Sequence, residues 1–206
     1  MHYRTDAPLP LARNPFSAIV SPRPIAWIST RGRDGQENLA PYSFFSAVAY
    51  EPPQIVVASI GQKPDRAQGK DTLTLARESG VFCVNIAGYD DREALNQSSA
   101  PYPGVVNEAA LLGLATVPCE SIDCPRLANA PAALECRLLN TITLQGADNF
   151  LMVARVDVVH LRDDCLTAEG RFDVCRFRLL TRLGYQDFAT IDEIFTMPRP
   201  KASDGS

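Results

Sequence analysis

The residues best suited to chemistry form the run Asn38–Ser46, which mixes small, hydroxyl and aromatic side chains. Asn38 and Ser43 can act as polar anchors, and the backbone beside them offers donors and acceptors to the edge of a ring. Ligand sites are mostly apolar with a few well-placed polar groups, and this run has that composition. It suits a planar heterocycle with polar edges, for which a flavin is the best candidate. The alternative is a hairpin strand whose aromatic residues fill the core.

A second group of residues could hold the anionic end of such a ligand. Ser59–Gly61 end a predicted strand, and Gly69–Thr72 lead into a predicted helix. A helix N-terminus offers unpaired N–H groups and a positive dipole, which favour a phosphate. Lys70 adds a charge and Thr72 a hydroxyl donor. The alternative is an ordinary helix cap made by Asp71 or Thr72, with Lys70 in solvent.

Two single residues are further candidates. His160 ends a long predicted strand and could donate a proton near neutral pH, or it could be a hydrogen-bonded structural residue. Arg23 stands between Pro22 and Pro24, so it is a rigidly held cation that faces either an anionic ligand or solvent. The chain has no Gly-x-Ser-x-Gly motif, which argues against a hydrolase of that type.

The six cysteines form no Cys-x-x-Cys pair, so we expect them to be reduced and mostly buried as small apolar side chains. Cys119 and Cys124 lie five positions apart in a proline-containing loop. A zinc site there would need further ligands, and the chain has only two histidines. We therefore predict no metal site.

The elements that position the candidate residues are mainly strands. Ile25–Thr30 is rich in β-forming residues, Asp34-Gly35 is a strong hairpin turn signal, and Asn38–Ala40 begins the returning strand. Phe16–Val20 is interpreted as a short strand or turn, and Ser43–Ala49 either continues the hairpin or curls into a loop.

Further strands are expected at Gln54–Ser59, buried on both faces, and at 81–86, 133–144, 149–160 and 165–167. A helix beginning at Asp71 or Thr72 should run to about Ser79 and stop at Gly80. Shorter helices are expected at 90–96 and 108–112. Helices are few and no Gly-x-Gly-x-x-Gly follows a strand, so the pattern argues against a Rossmann domain and favours an antiparallel β-barrel with peripheral helices. We expect a single domain over 1–206, with its core at about 14–190.

Composition narrows the classes of function. The chain has 206 residues, 20 basic and 24 acidic, for a net charge of −4. This balance argues against a nucleic-acid-binding protein. The sequence lacks an apolar run of the ~20 residues that a membrane span needs, and no secretion signal is visible, so a cytoplasmic location is expected.

Taken together, several segments resemble one family. They are the stretch PRPIAWISTRGRDGQENLAPYSFFSAVAYEPPQIVVASIG, the following KDTLTLARESGVFCVNI, the strand ending VDVVHLRDD and the late RLGYQDFATI. In combination they resemble the flavin reductase-like family, whose fold is the FMN-binding split barrel. The likeness covers roughly residues 14–190.

The resemblance implies a six-stranded Greek-key barrel with short peripheral helices, a homodimer, and FMN (less readily FAD) near the subunit interface. It implies that the flavin ring lies beside Asn38, Pro41, Tyr42, Ser43, Phe44 and Phe45. The ribityl chain and phosphate would lie beside Ser59, Ile60, Gly61, Lys70, Asp71 and Thr72, with Arg23 and Thr30 as further contacts. Ser43 and His160 are the candidates for a direct part in catalysis.

The implied function is an FMN-dependent oxidoreductase in which hydride passes from NAD(P)H to flavin N5. The final acceptor would be free flavin for a partner monooxygenase, a metal complex or a small organic substrate, and a partner oxygenase or redox protein is the expected protein partner. Two other readings stay open: a flavoredoxin-like electron carrier, and a barrel that binds no flavin. Relatives often carry Gly-Asp-His where this chain has Gly146–Asn149, which bears on the use of pyridine nucleotides. The closing motif has Tyr185 where a second glycine is usual and Phe188 where tyrosine is usual.

Residues 98–131, with five prolines, are expected to form an excursion over the pocket or the partner.

Overall fold

The computed structural model describes residues 1–63 and 69–200, and most of its secondary structure is β. The strands are Arg23–Pro24 (β1), Ala26–Arg31 (β2), Glu37–Tyr42 (β3), Phe45–Tyr50 (β4), Pro53–Ile60 (β5), Val81–Asn85 (β6), Thr116–Pro118 (β7), Pro125–Leu127 (β8), Ala132–Thr143 (β9), Asn149–Leu161 (β10), Leu180–Arg182 (β11) and Phe188–Thr190 (β12). The helices are Phe16–Ile19 (α1), Asp71–Ser79 (α2), Arg92–Gln97 (α3) and Glu108–Leu111 (α4). Single 3₁₀ turns occur at Tyr89–Asp91 and Asp163–Cys165.

Seven strands form one antiparallel sheet in the order β3-β2-β6-β9-β10-β5-β4. Its two edge strands, β3 and β4, are joined by only Ser43 and Phe44. From Tyr42 to Phe45 the chain takes three residue steps, which span at most ~11 Å, so the sheet must curl until its edges meet. The result is a barrel in which β3 and β4 are neighbours without pairing. The expected split barrel is confirmed, with seven strands in its sheet where six were expected. The bend at Ser43 and Phe44 divides the predicted continuation of the hairpin into two strands.

Strand β2 is buried on both of its faces. Ala26 and Ile28 face an inner cluster that includes Val57 and Met152. Trp27 faces outward into a second cluster beneath α3 and α4, where its indole donates a hydrogen bond to Ser98 (2.9 Å). The predicted strand Ile25–Thr30 is therefore confirmed at the centre of the fold, and its continuous apolar run reflects cover on both sides.

Strand β5 differs from its prediction. Its residues alternate between buried and partly exposed, with Ile55 and Val57 inside and Val56 and Ala58 outside. The prediction of burial on both faces was wrong because, among the described residues, no helix packs over the outer face of β5. Strand pairing puts five partly exposed apolar side chains together on that side, which we call the outer patch: Val56, Ala58, Ile142, Leu151 and Val153.

Helix α2 closes part of the barrel interior. Leu73 and Ala76 belong to the inner cluster, and the helix ends at Gly80, whose φ of 77° is the left-handed conformation that glycine favours. The predicted side-chain cap was wrong. Lys70 is the N-cap residue and makes no capping hydrogen bond, and Asp71 instead pairs with the Lys63 ammonium.

Three other predictions need correction. Residues 16–19 form a helical turn. The strand predicted at 165–167 is absent there: Cys165 ends the 3₁₀ turn Asp163–Cys165, and Leu166 makes a single bridge to Phe172. The excursion 98–131 contains α4 and the hairpin β7–β8, whose strands were not predicted. Within the predicted loop 60–70, residues 64–68 lie outside the described residues. Among the residues that are described, no helix is long and apolar enough to span a membrane.

Truncating Leu73 should test the packing of α2. Leu73 has no exposed surface, and replacing a buried leucine by alanine costs about 2–5 kcal/mol. We expect Leu73→Ala to lower the free energy of unfolding by that amount in urea denaturation followed by circular dichroism. Leu111→Ala, on the exposed side of α4, is the matched control and should change it by about 0.5 kcal/mol or less. Equal effects of the two variants would contradict this packing.

Candidate functional site

A cleft of about 230 Å³ runs along the edge strand β3. Its far side is formed by the start of α2, the segment after α3 and the first residue of α4. The lining residues are Asn38, Ala40, Pro41, Tyr42, Gln62, Lys63, Lys70, Asp71, Thr72, Ser98, Ser99, Ala100, Pro101 and Glu108. A smaller cavity of about 120 Å³ continues from Pro41, Tyr42 and Ser99 to Ser43. Six of the sequence candidates therefore line the cleft, and Ser43 lies where it continues.

The backbone of β3 presents polar groups to this cleft. Pro41 lies opposite Trp27 of β2 and has no N–H. Antiparallel pairs alternate between hydrogen-bonded and non-hydrogen-bonded, and Pro41–Trp27 is a non-hydrogen-bonded pair. Alternation then turns the backbone groups of Leu39 and Pro41 away from β2. The buried carboxylate of Glu108 accepts the Leu39 N–H (2.8 Å). What remains on this edge is a set of carbonyl acceptors beside flat apolar side chains.

Tyr42 is buried at the inner end of the cleft. Burial raises the pKa of its phenol to about 12, although the nearby hydroxyls of Thr72 and Ser59 oppose the rise. The phenol therefore stays protonated at neutral pH. Thr72 also accepts a hydrogen bond from the Asn38 amide (2.9 Å), which ties β3 to the start of α2.

Ser59 has no exposed surface, and its hydroxyl makes no well-formed hydrogen bond to the described residues. Thr30 on β2 is also fully buried, and its hydroxyl likewise makes no well-formed hydrogen bond to the described residues. An unsatisfied buried hydroxyl costs stability unless something else binds it. Ser59 is not among the residues that line the cleft, but its hydroxyl lies beside the Tyr42 phenol at the inner end of the cleft.

The start of α2 is the cationic end of the cleft. Lys70 is half-buried, its Nζ lies 5.9 Å from the Tyr42 ring centroid, and burial lowers its pKa. Lys63 bonds both the Asp71 carboxylate and the Tyr102 carbonyl, so the acidic charge next to the helix start is paired. A helix N-terminus without a side-chain cap, flanked by two ammonium groups, can bind an anionic group such as a phosphate.

Several predicted contacts lie outside the lining of the cleft. The buried Arg23 guanidinium donates hydrogen bonds to the carbonyls of Ser17, Val20 and Leu183, so it ties α1 to the closing loop. Arg23 was predicted to face either solvent or an anionic ligand, and the structure shows neither. It also stacks over Phe44 at 5.5 Å.

Three more candidates are also placed elsewhere. Phe45 packs against the inner cluster. Ile60, which is 43% exposed, and Gly61 stand at the outer end of β5, next to the lining residue Gln62. The local sequence contained no signal for the additional lining residues, which are Gln62, Lys63, the segment 98–101 and Glu108.

His160 is also remote from the cleft. Strand pairing connects it to Pro41 through Ala133, Asn85 and Trp27, four strand spacings or about 19 Å along the curved sheet. Its Nε2 lies 2.6 Å from Oε1 of the fully buried Glu135. The structure therefore supports the hydrogen-bonded structural role for His160 and does not bring it near the other candidates.

Glu135 binds the loop that follows β7. Its carboxylate accepts hydrogen bonds from the backbone N–H of Glu120 (2.6 Å) and from both the N–H and the hydroxyl of Ser121 (2.8 and 2.6 Å). Desolvation alone would raise its pKa, but these bonds and the His160 contact outweigh it and lower the pKa to about 2. Glu135 thus remains ionised in a fully buried position.

A larger cavity of about 420 Å³ adjoins the smaller one and shares Leu95, Asn96 and Phe188 with it. Its lining includes Tyr89, Phe188 and Arg92. Arg92 and Arg178 lie 4.1 and 4.4 Å from the Tyr89 ring centroid, and Arg182 lies 4.4 Å from that of Phe188, so two further arginines stack on the rings that line the cavity. We call it the arginine-rimmed cavity. Sequence reasoning identified only Phe188 here, as a departure in the closing motif.

Comparison with known proteins agrees with this architecture. Residues 19–176 match the family model described as the flavin reductase like domain. A protein of Halalkalibacterium halodurans, named only as uncharacterised, is 36% identical over 189 residues, which cover 89% of this chain and 88% of that protein.

Two solved structures share both fold and sequence with the chain. Component B of a nitrilotriacetate monooxygenase from Bacillus cereus has a TM-score of 0.81 and 28% identity, covering 93% of this chain and 100% of that one. The 2-nitrobenzoate 2-nitroreductase of Pseudomonas fluorescens has a TM-score of 0.78 and 26% identity, covering 93% and 91% respectively.

The buried Glu135 makes a testable contribution to acid stability. Because its pKa is lowered from 4.5 to about 2 on folding, it stabilises the protein above the unfolded value, and this stabilisation is lost as pH falls from about 4.5 to about 2. Glu135→Gln should be less stable at neutral pH by about 1–3 kcal/mol, since the donors of the 120–121 loop lose their carboxylate.

Between pH 5 and pH 2, the variant should also lose less stability than the wild type in urea denaturation. Glu93→Gln, on the exposed side of α3, is the control and should follow the wild type. Parallel pH profiles for wild type and Glu135→Gln would contradict the assignment.

Proposed function

This chain belongs to the flavin reductase-like family, and from that premise we propose that it is an FMN-binding oxidoreductase that takes electrons from NADH or NADPH. The observation that carries the proposal is the juxtaposition of two features in one cleft. The edge of β3 offers a planar row of polar groups, and the start of α2 offers an anion site with Lys70 beside it. A ring with polar edges and a single phosphate matches both.

Each end of the ligand has proposed partners in the chain. The isoalloxazine lies along Asn38, Pro41 and Tyr42, with Ser43 beside its reactive edge. Ser59 donates its otherwise unsatisfied hydroxyl to the ribityl chain. Lys70, Thr72 and the first N–H groups of α2 hold the phosphate. FMN is favoured over FAD because the cleft supplies one cationic end.

When bound, the flavin supplies the transfer of hydride and electrons. The protein's part is to bind and orient the ring and to exclude water from it. Tyr42 contributes a phenol that stays protonated. Among the residues that line the smaller cavity around Ser43, the other titratable side chain is Arg182. Substitutions in the cleft should therefore weaken binding more than chemistry.

The arginine-rimmed cavity is the proposed site for the nicotinamide nucleotide. It opens beside the ring position, and its aromatic faces and guanidinium groups suit a stacked base and phosphates.

A second candidate function, a flavoredoxin-like electron carrier, is favoured by one observation. At Gly146–Asn149 the chain has no histidine, and the Asn149 amide closes its own turn by donating to the Gln145 carbonyl (2.9 Å).

A second copy of the chain is the proposed occupant of the outer patch. Contiguous exposed apolar surface of this kind marks interaction sites, and soluble oligomers are most often two-fold symmetric dimers.

The final acceptor is proposed to be a partner oxygenase, a redox protein or a small organic molecule. The monooxygenase component and the nitroreductase that share this fold support the first and the last of these.

The phosphate assignment is tested by replacing its cation. Lys70→Ala should weaken FMN binding about ten- to a hundredfold, the loss of one charge-assisted contact of about 1.5–3 kcal/mol. Quenching of flavin fluorescence measures the dissociation constant. Riboflavin lacks the phosphate, so its affinity should be unchanged by Lys70→Ala. Arg33→Ala, an exposed charge outside the cleft, is the control. Unchanged FMN affinity in Lys70→Ala would remove the assignment.

Stopped-flow mixing of the FMN-loaded protein with NADH or NADPH separates the two candidate functions. A reductase should lose its flavin absorbance within milliseconds to seconds, and Arg178→Ala should slow this step at subsaturating nucleotide by about tenfold, equivalent to 1.4 kcal/mol. Arg4→Ala, an exposed arginine outside the cavity, should have no effect. Absence of bleaching with both nucleotides would favour the electron carrier.

A further inference from the structure

Three cysteines meet on the outer face of the sheet, away from the cleft. Cys83 is buried on β6, and the hairpin β7–β8 brings Cys124 and Cys119 over it. Cys83 and Cys124 belong to one buried apolar cluster, and Cys119 packs against that cluster. We call them the cysteine cluster. Clustering of this kind is not needed for packing, because any small apolar side chains would fill the same space.

The hairpin register brings two of these cysteines opposite each other. Pro118 pairs with Pro125, and one step further Cys119 donates its N–H to the Cys124 carbonyl (2.9 Å). Directly opposed residues on antiparallel strands point to the same face, with Cβ atoms about 4.5–5.5 Å apart. A disulfide needs a Cβ separation of about 3.5–4.5 Å, so a shift of about 1 Å joins them.

The frame around this pair is firmly held. The Ser29 hydroxyl donates to the Pro125 carbonyl (2.5 Å), and the Cys124 thiol donates to the Ser29 carbonyl (3.2 Å). On the other side of the loop, Glu135 holds the backbone of Glu120 and Ser121. The two sulfur atoms are thus kept together whether or not they are bonded.

The two cysteines differ in access and in acidity. Cys119 is partly exposed, whereas Cys124 is 1% exposed. The neighbouring Cys124 and Cys83 side chains lower the pKa of Cys119, and the nearby His160 ring adds to this while burial and Glu135 oppose it. The neighbouring Cys119 and burial raise the pKa of Cys124. An accessible, stabilised thiolate next to a buried thiol is the arrangement of a reactive and a resolving cysteine.

We propose that Cys119 and Cys124 are an oxidisable dithiol that reacts with hydroperoxides and closes to a disulfide. The Cys119 sulfur attacks one peroxide oxygen, the O–O bond breaks, and the departing hydroxide or alkoxide takes up a proton. Cys119 is thereby oxidised to a sulfenic acid. The Cys124 sulfur then attacks the Cys119 sulfur, the S–S bond forms, the S–O bond breaks, and water leaves with the Cys124 proton. This inference is independent of the proposed flavin chemistry.

The test exposes the reduced full-length chain, without flavin, to hydrogen peroxide. Before treatment, six thiols should react under denaturing conditions, and after treatment two of them should be lost. Cleavage after Glu120 separates the two cysteines, so a disulfide-linked pair of fragments in the mass spectrum identifies the bond. Cys119→Ser should lose no thiols at the same peroxide dose, and Cys124→Ser should hold a sulfenic acid at position 119 that dimedone traps.

Cys175→Ser is the matched control, because Cys175 is also partly exposed but lies outside the cluster, and it should form the disulfide at the wild-type rate. The proposal is overturned if Cys175 is oxidised as fast as Cys119, if Cys119 pairs with Cys83, or if Cys119→Ser still loses two thiols. Should a variant fail to fold by circular dichroism, the peptide map of the wild-type protein decides alone.

Discussion

Strand β3 lies at an edge of the main sheet, so alternate backbone groups along it have no neighbouring strand to bond. The chain meets this constraint in two ways. Glu108 takes the Leu39 N–H from across the cleft, and Pro41 removes the next N–H altogether. The carbonyl groups that remain form a polar edge in an apolar setting. That edge is shielded from pairing with another strand by the segment after α3, and it is open to a flat ligand.

The rest of the site follows from how β3 is held. Asn38 bonds Thr72, so the edge strand and the start of α2 are positioned relative to each other by one hydrogen bond between buried side chains. This bond acts together with the packing of Leu73 and Ala76 in the inner cluster, which also contains Tyr42 of β3. The same principle recurs on the far side of the sheet, where buried Ser29, Asn85 and Glu135 tie the β7–β8 hairpin to β2, β6 and β9. Buried polar pairs thus fix both surfaces on which we propose chemistry.

Much of the fold could be predicted from the sequence because its signals are local. The Asp34-Gly35 turn, the apolar run Ile25–Thr30 and the stop at Gly80 each act within a few residues. The errors arose where tertiary contacts decide the outcome. Only the packing of neighbouring elements shows that β2 and not β5 is covered on both faces, and that His160 binds Glu135. Within the site, the sequence predicted the run from Asn38 to Ser43 and the start of α2. It did not predict Lys63, Glu108 or the cysteine cluster, because contacts between distant segments of the chain place these residues.

The central claim is that a flavin ring lies along the edge of β3 with its phosphate at the start of α2. A crystal structure of the protein grown with excess FMN tests it most directly. The account predicts the ring beside Pro41 and Tyr42 and the phosphate within hydrogen-bond distance of the first N–H groups of α2. A flavin bound only in the arginine-rimmed cavity, or a β3 edge occupied by protein side chains at saturating FMN, would contradict it.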